Sequence, residues 1–173
     1  MEPVKAPFLL SGLGVKTRVE YISTDTIPYF KDCQTVLEPL GIILVELHVT
    51  PLKGCVNVSA IVCLKDSSRD ISVSDCSKAH RAILPVLAAK TGRSEDDLSM
   101  EVSSPGLSHN IKNAVEFSFF VGREIRVWTK SLGDWENGII ESSDEKELVL
   151  KKNDGSSRTV EYGDIAKAKF IHL

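Results

Sequence analysis

The first half of the chain alternates between helix-like and strand-like spacing of its apolar residues. From Asp25 to Leu40 apolar residues recur on one helical face, and Gly41 predicts the end of that helix. Two runs with a two-residue period follow, Ile42 to Thr50 and Val56 to Leu64. Because the turn-forming segment Pro51 to Gly54 separates them, they predict a pair of adjacent strands.

A second helix and a third strand complete this half. Between Cys76 and Leu87 the apolar residues form one helical stripe, with Ser72 or Ser74 as possible caps and a kink expected at Pro85. Leu98 to Ser103 alternates again with a strand period. The order helix, strand, strand, helix, strand predicts a two-layer α/β domain, with a three-stranded sheet and two helices covering one of its faces.

The second half of the chain has a different spacing. Ile111, Val115 and Phe119 fit a short helix that ends at Gly122. Short strand-like runs separated by Gly, Asn, Asp and Ser then follow, at Glu124 to Lys130, Trp135 to Glu141, Leu148 to Lys151, Arg158 to Tyr162, and Lys167 to Ile171. A helix followed by about five short antiparallel strands predicts a small β-barrel of the SH3-like or Sm-like kind, and an α+β class for the whole chain.

The two patterns predict an N-terminal extension at residues 1–24, an α/β domain at 25–107 and an Sm-like β-barrel domain at 108–173. The run EVSSPGL, Glu101 to Leu107, stands at the domain boundary. Pro105 fixes its own φ and favours extended geometry at the preceding residue, and Gly106 can adopt a positive φ. We therefore expect a stiff hinge between two domains.

The charge of the chain argues against a protein that holds nucleic acid mainly through phosphates. Residues 1–107 carry 11 Lys and Arg against 13 Asp and Glu, and residues 108–173 carry 10 against 11. Non-specific binding needs a positive surface, because most of its affinity comes from counterion release. Neither half is basic overall, so only a local basic stripe stays open as an RNA-binding surface.

Two tryptophans offer a second route to nucleic-acid binding. Trp128 and Trp135 flank the predicted turn at Lys130 to Asp134, where exposed rings could stack on a base or on a partner side chain. We favour instead that at least one Trp fills the barrel core, since small barrels need bulky interior groups. The remaining basic pairs are interpreted as ordinary surface charges: Lys151 with Lys152, and Lys167 with Lys169.

Catalytic and metal-binding signatures are absent from the sequence. It has no Gly-x-x-x-x-Gly-Lys-Ser/Thr loop and no Gly-x-Gly-x-x-Gly motif, and Ser108 with His109 lacks a nucleophile elbow. The four histidines show no metal-ligand spacing, and the four cysteines form no Cys-x-x-Cys pair. No apolar run approaches a membrane span. We expect no catalytic residue, cofactor, metal, small-molecule substrate or membrane segment, and reduced thiols in a cytoplasmic protein.

One longer pattern resembles a known family. The run EVSSPGL, followed by Ile111, Lys112, Phe117 and Phe120 to Gly122, is similar to the bacterial ribosome maturation factor RimP family. Three further segments resemble the family's second-helix start, first helix-to-strand junction and last strand: Ile71 to Ile83, Gly41 to Val45, and Ile165 to Ala168. Together the similar segments cover most of residues 25–173. After Leu107 the family usually continues with an acidic residue, Arg, Pro and Leu, whereas this chain has His109 in place of the Arg.

The resemblance implies a cytoplasmic, non-enzymatic assembly factor for the small ribosomal subunit. It implies a monomer that contacts a ribosomal protein near the decoding centre and the rRNA around it. The expected interdomain hinge or partner-binding residues are Glu101, Ser103, Ser104, Pro105, Gly106, Leu107, His109 and Lys112. Two alternatives stay open: a stand-alone Sm-like RNA-binding module, which predicts ring oligomers and steep salt dependence, and an unrecognised enzyme, which needs a pocket with converging polar groups.

Overall fold

The computed structural model describes residues 19–66, 68–106 and 108–171, and these residues form two compact units. We call the described residues between 22 and 109 the N-terminal unit. We call residues 19–21 together with 110–171 the barrel unit. The first 18 residues of the predicted extension lie outside the described residues.

The N-terminal unit consists of a three-stranded sheet and two α-helices. Its elements in chain order are α1 (Phe30–Leu37), β1 (Ile42–Leu52), β2 (Cys55–Leu64), α2 (Val73–Thr91) and β3 (Leu98–Ser103). The strand order is β1-β2-β3, with β1 antiparallel and β3 parallel to the central β2. This architecture confirms the two-layer domain that the spacing predicts.

The first helical region is less regular than its apolar spacing predicts. Only α1 is α-helical, and the flanking segments Thr24–Thr26 and Glu38–Leu40 are 3₁₀ turns. Pro28 and Pro39 lie before and after α1, and neither can donate a backbone hydrogen bond to a continuous helix. Gly41, at φ +68, ends the second 3₁₀ turn in the left-handed conformation that the sequence predicts there.

A β-bulge determines which residues of β1 face the helices. The register of β1 with β2 shifts between Leu44 and Glu46, so Leu44 and Val45 are both buried. A strict two-residue period would send one of them to solvent. On β2 the predicted alternation holds, with Val56, Val58, Ala60, Val62 and Leu64 all buried.

A capping box fixes the start of α2. The Ser72 hydroxyl accepts a hydrogen bond from the amide of Asp75, and the Asp75 carboxylate accepts from the Ser72 amide at 2.9 Å. The Arg69 guanidinium donates a bidentate pair of hydrogen bonds to the same carboxylate, at 2.7 and 3.1 Å. These hydrogen bonds, that of Arg69 first, hold the pKa of Asp75 well below its usual range.

The barrel unit is a five-stranded antiparallel sheet preceded by a short helix. Its elements are α3 (Glu116–Phe119), β4 (Glu124–Thr129), β5 (Asp134–Ser143), β6 (Glu147–Lys151), β7 (Ser157–Glu161) and β8 (Ile165–Phe170). The strand order is β7-β6-β5-β4-β8, and a 3₁₀ turn at Tyr162–Asp164 connects the two end strands. The sheet is barrel-like, and all five predicted strands are present within three residues of their predicted ends.

The helix predicted over Ile111 to Phe119 is wrong in its first half, because only α3 is helical. The Ile111 amide donates to the carbonyl of Ala168 on β8 at 2.9 Å, so that residue extends the sheet. The Asn113 side chain accepts from the Val115 amide at 3.1 Å, which turns the chain into α3.

Residues 19 and 20 also belong to the barrel unit. The Val19 amide donates to the carbonyl of Ile165 at 3.1 Å, and Glu20 exchanges backbone hydrogen bonds with Lys112 and Ala114 at 3.2 and 2.8 Å. Val19 is 3% exposed. The end of the predicted extension is therefore an ordered part of the sheet's edge, which weak apolar periodicity did not indicate.

One carboxylate points towards the barrel interior. Glu136 on β5 is 8% exposed, and its Oε1 lies 2.9 Å from both Lys152 Nζ and Arg158 Nε. The Arg158 contact is an ion pair whose angle falls outside hydrogen-bond geometry. The Thr129 hydroxyl donates to Oε2 at 3.0 Å. Lys152 is therefore part of a half-buried ion cluster around the buried Glu136 carboxylate, and its interpretation as an ordinary surface charge is wrong.

Close packing of β5 against β6 requires a glycine at position 138. A Cβ atom there would lie 3.0 Å from Leu150 Cβ and 3.1 Å from the Lys151 carbonyl oxygen.

We expect Gly138→Ala to lower the free energy of unfolding by about 1–3 kcal/mol through overpacking, measured by urea denaturation. Gly163→Ala is the matched control, because a Cβ at that position meets no atom within 4 Å. Equal stability of the two variants would contradict the packing argument.

The Asp75 cap makes the stability of the N-terminal unit depend on pH. Since the folded-state pKa of Asp75 lies below its unfolded value of roughly 3.9, the carboxylate stabilises the fold fully above that value. The stabilisation is lost as pH falls through the folded-state pKa. Asp75→Asn should therefore be less stable than the wild type at pH 7, and the difference should shrink below about pH 4.

The measurement is denaturant unfolding of both proteins from pH 7 to pH 2.5. Asp96→Asn serves as the control, since Asp96 is exposed in the 3₁₀ turn before β3. A stability difference for Asp75→Asn that grows on acidification would show that the carboxylate is not the stabilising form.

Candidate partner-binding surfaces

The first two predicted site residues lie on β3, at the edge of the three-stranded sheet. Glu101 is exposed and lies opposite Ser59 on β2, which in turn lies opposite His48 on β1. All three point away from the buried face of the sheet. Ser103 is the last residue of β3 and is half-buried opposite Ile61. These positions form a polar surface of the N-terminal unit.

The predicted hinge follows β3 directly. Pro105 is buried, and Gly106 has a φ of +51, the positive value expected for a glycine at this corner. The His109 amide donates to the Gly106 carbonyl at 3.1 Å, which closes a turn. Ser104 is exposed, whereas Leu107 lies outside the described residues.

The predicted site residues are divided between the two units. Residues up to His109 belong to the N-terminal unit, and Lys112 belongs to the barrel unit, where its carbonyl accepts from the Glu20 amide. The assignment of these residues to a hinge or to a partner contact stays a prediction.

A second surface emerges from the strand register of the barrel unit. Arg126 and Trp128 on β4 point outward, because their neighbours Ile125, Val127 and Thr129 are buried. β4 pairs with β5 on one side and with β8 on the other. The register therefore forms two adjacent rows, Lys169–Arg126–Asn137 and Lys167–Trp128–Trp135. We call these six residues the basic-aromatic face.

The side chains of the face hold one another in place. The Trp128 and Trp135 rings pack edge to face, with centroids 5.8 Å apart. The guanidinium carbon of Arg126 lies 4.7 Å from the centroid of the Trp135 ring, a cation–π contact. Both indoles are half-buried, so part of each ring is accessible to solvent.

The expectation that one of the tryptophans fills the barrel core is therefore wrong. The buried interior positions of β5 are Glu136, Gly138 and Ile140, and Trp135 precedes them on the opposite face. Among the described residues, the largest fully buried side chains of the barrel unit are Phe117 and Phe120, from the helical segment. These phenylalanines supply the bulk that the prediction assigned to Trp.

The face is positively charged. Within residues 19–66, 68–106 and 108–171, neither Lys167 nor Lys169 forms a salt bridge, and Arg126 contacts an aromatic ring rather than a carboxylate. Asp134 lies at the end of the face, where its carboxylate accepts from the Trp135 amide. Lys130 is turned elsewhere, because its Nζ donates to the Gly163 carbonyl at 3.2 Å.

A groove at other strands of the barrel unit is lined by several acidic side chains. The groove has a volume of about 720 Å³ and is lined by Val19 to Tyr21, Glu145 to Glu147, and Glu161 to Gly163. Four of these residues are Glu and one is Lys. Burial raises the pKa of Tyr162 to about 12, and its hydroxyl lies 2.5 Å from the Asp144 carbonyl. The groove is therefore acidic, whereas the net charge of the whole unit is close to zero.

The four cysteines lie among the described residues and differ in burial. Cys33 and Cys63 are buried and Cys55 and Cys76 half-buried, all as free thiols. Desolvation, with Asp32 as a second cause, raises the pKa of Cys33 to about 12, so that thiol is a weak nucleophile at neutral pH.

Across the described ranges, no helix has both the length and the apolar character needed to cross a bilayer.

Comparison with known proteins identifies similar sequences over most of the chain. The family model described as the RimP N-terminal domain matches residues 32–108. The chain is 27% identical over 138 residues to Ribosome maturation factor RimP of Borrelia garinii subsp. bavariensis, an alignment that covers 80% of this chain and 90% of the relative. It is 29% identical over 136 residues to the protein of the same name from Borrelia hermsii, covering 79% and 89%.

The sequence missed the basic-aromatic face although it contained half of the signal. Arg126 and Trp128, like Lys167 and Lys169, are two residues apart within predicted strands, and this spacing places each pair on one face. The spacing does not predict that β8 pairs with β4 rather than with β7, its neighbour in sequence. That long-range pairing brings the two lysines beside the two tryptophans.

Proposed function

Because the chain belongs to the RimP family of ribosome maturation factors, we propose that it is a non-enzymatic assembly factor that binds the immature small ribosomal subunit. The observation that carries the proposal is similarity to proteins named Ribosome maturation factor RimP across about nine-tenths of their length. Its contacts in this proposal are a ribosomal protein near the decoding centre and the rRNA around it. It acts as a monomer in the cytoplasm, where subunits are assembled.

The division into two units supports a bivalent mode of binding. Two surfaces joined by a short, stiff segment bind one particle with a higher effective concentration than two separate domains would. The buried ring of Pro105 restricts the backbone of that segment, and Gly106 follows it with a φ of +51. The eight predicted site residues between Glu101 and Lys112 are, in this proposal, the hinge and part of the partner contact.

A second candidate function is favoured by the basic-aromatic face, namely a stand-alone Sm-like RNA-binding module. Such a module would bind exposed RNA regardless of whether the subunit is immature or mature. The two candidates therefore differ in their preference between particles.

The proposed function predicts selective binding to immature particles. The full chain, mixed with immature or mature small subunits and centrifuged through a sucrose cushion, should co-sediment with the immature particles and at least several-fold less with the mature ones. Equal binding to both particles would favour the RNA-binding module, and binding to neither would contradict the assembly role.

The same assay tests the hinge. Replacing Pro105 and Gly106 with a flexible Ser-rich insert should weaken binding to immature subunits at least about tenfold, because effective concentration is lost. The matched control is the same insert at Gly155, in the exposed turn between β6 and β7. Circular dichroism verifies that both variants are folded. Equal affinity of the two insert variants would remove the hinge from the proposal.

A further inference from the structure

We infer that the basic-aromatic face of the barrel unit binds single-stranded RNA by stacking bases on Trp128 and Trp135 while Arg126, Lys167 and Lys169 contact the phosphates. The inference deepens the proposed function and rests on it for the source of the RNA, an unpaired rRNA segment of the immature subunit. It assigns a surface and a binding mode to a contact that the family resemblance leaves without residues.

The first argument is the pairing of aromatic and cationic groups on one flat surface. Sequence-tolerant binding of single strands combines a positive track for the backbone with aromatic rings for successive bases. On this face the two rings lie on adjacent strands in one row, with Lys167 at the end of the same row. Arg126 and Lys169 stand in the next row. An RNA strand running along the first row would meet one cation and then two rings, and the second row adds two cations beside it.

The second argument is the preorganisation of the rings. Trp135 is held by Arg126 at 4.7 Å and by Trp128 at 5.8 Å, and both indoles are partly packed against the sheet. A ring that is already fixed loses little conformational entropy when a base stacks on its accessible side. The Arg126 guanidinium is planar and stays charged, so it can serve both the ring and a phosphate.

The third argument is that the six residues of the face include no carboxylate, although Glu124 on β4 stands one row beyond Arg126 and Asp134 lies at the end of the face. The described structure gives Lys167 and Lys169 no acidic partner, and the four Glu residues of the groove lie on the N-terminal edge, β6, β7 and their turns, away from the strands of the face. Charge complementarity therefore favours an anionic partner. The two indole rings favour RNA over an acidic protein surface, because bases can stack on them. Unpaired RNA is favoured over a duplex because stacking needs bases that are free of their own neighbours.

The chain offers a direct spectroscopic test, since its only two tryptophans are the two on this face. Titrating the full chain with an oligouridine of about ten nucleotides should quench tryptophan emission as bases stack. A labelled oligonucleotide followed by anisotropy reports binding independently. Binding without any change in tryptophan emission would overturn the stacking mode, and so would equal affinity for a blunt RNA duplex of the same length.

Variants separate stacking from charge. Trp128→Ala should weaken oligouridine binding about tenfold, and Trp128→Phe should keep most of the affinity because it retains a ring.

The double variant Lys167→Ala, Lys169→Ala should reduce the salt dependence, lowering the slope of log affinity against log salt by roughly 1.4 for two lost phosphate contacts. The charge-matched control is Lys53→Ala, Lys65→Ala, which removes two exposed lysines of the N-terminal unit. Equal effects of the two double variants would overturn the assignment.

Failure of this inference can be distinguished from failure of the proposed function. If the wild type binds oligouridine but does not bind immature subunits, the proposed function is contradicted and the RNA-binding role of the face is retained. If the wild type and all face variants bind immature subunits selectively, and none of them binds oligouridine, the inference is contradicted and the proposed function is retained. If the face variants lose subunit binding and the wild type binds no oligouridine, the face contacts a protein partner. This result also overturns the inference.

Discussion

The pairing of β4 on both of its edges is the constraint on which the barrel unit depends. Antiparallel pairing with β5 and β8 fixes which residues stand side by side, and the two-residue period of the strand fixes which of them face inward. Ile125 and Val127 thereby enter the core, while Arg126 and Trp128 are directed to the surface. A shift of one residue would reverse these two sets, exposing the core and burying a guanidinium. The same alternation that stabilises the fold therefore creates the basic-aromatic face.

Clustering of three cations on one face explains how a unit without net positive charge can present an RNA-binding surface. Residues 108–173 carry nearly equal numbers of basic and acidic residues, so overall charge argues against binding through phosphates. In the folded unit, the carboxylate of Glu136 is neutralised by Lys152 and Arg158, and four other Glu residues line the groove. The cations of the face are left facing solvent. Local potential, rather than the net charge of the chain, governs contact with a polyanion.

Local patterns in the sequence predict most of the secondary structure but little of the surface. Alternation located all eight strands, because a half-buried strand leaves its period in the sequence. It missed the bulge in β1 after Leu44, where two consecutive apolar residues are buried. It also extended a helix back to Ile111, whose amide instead bonds to β8. In both cases a long-range backbone contact outweighed the local periodicity.

The candidate surface shows the same limit. The sequence indicated that Trp128 and Trp135 could stack on a base, but the need for a bulky core favoured burying one of them. Phe117 and Phe120 fill that space from outside the strands, which no local pattern of the strands could indicate. Lys167 and Lys169 became part of the surface only through the β4–β8 register. The positive φ of Gly106, by contrast, agrees with what glycine chemistry alone predicts, since the freedom to adopt that conformation is a property of the residue itself.

The claim that β4 and its neighbours direct an RNA-binding face outward is tested most directly on the assembled particle. Ultraviolet cross-linking of the full chain bound to immature small subunits, followed by mass spectrometry of RNA-linked peptides, identifies the residues in contact with rRNA. The account predicts adducts on peptides from β4, β5 and β8 that contain Trp128, Trp135 or Lys167. Adducts confined to the N-terminal unit, or none on a chain that remains bound, would contradict it.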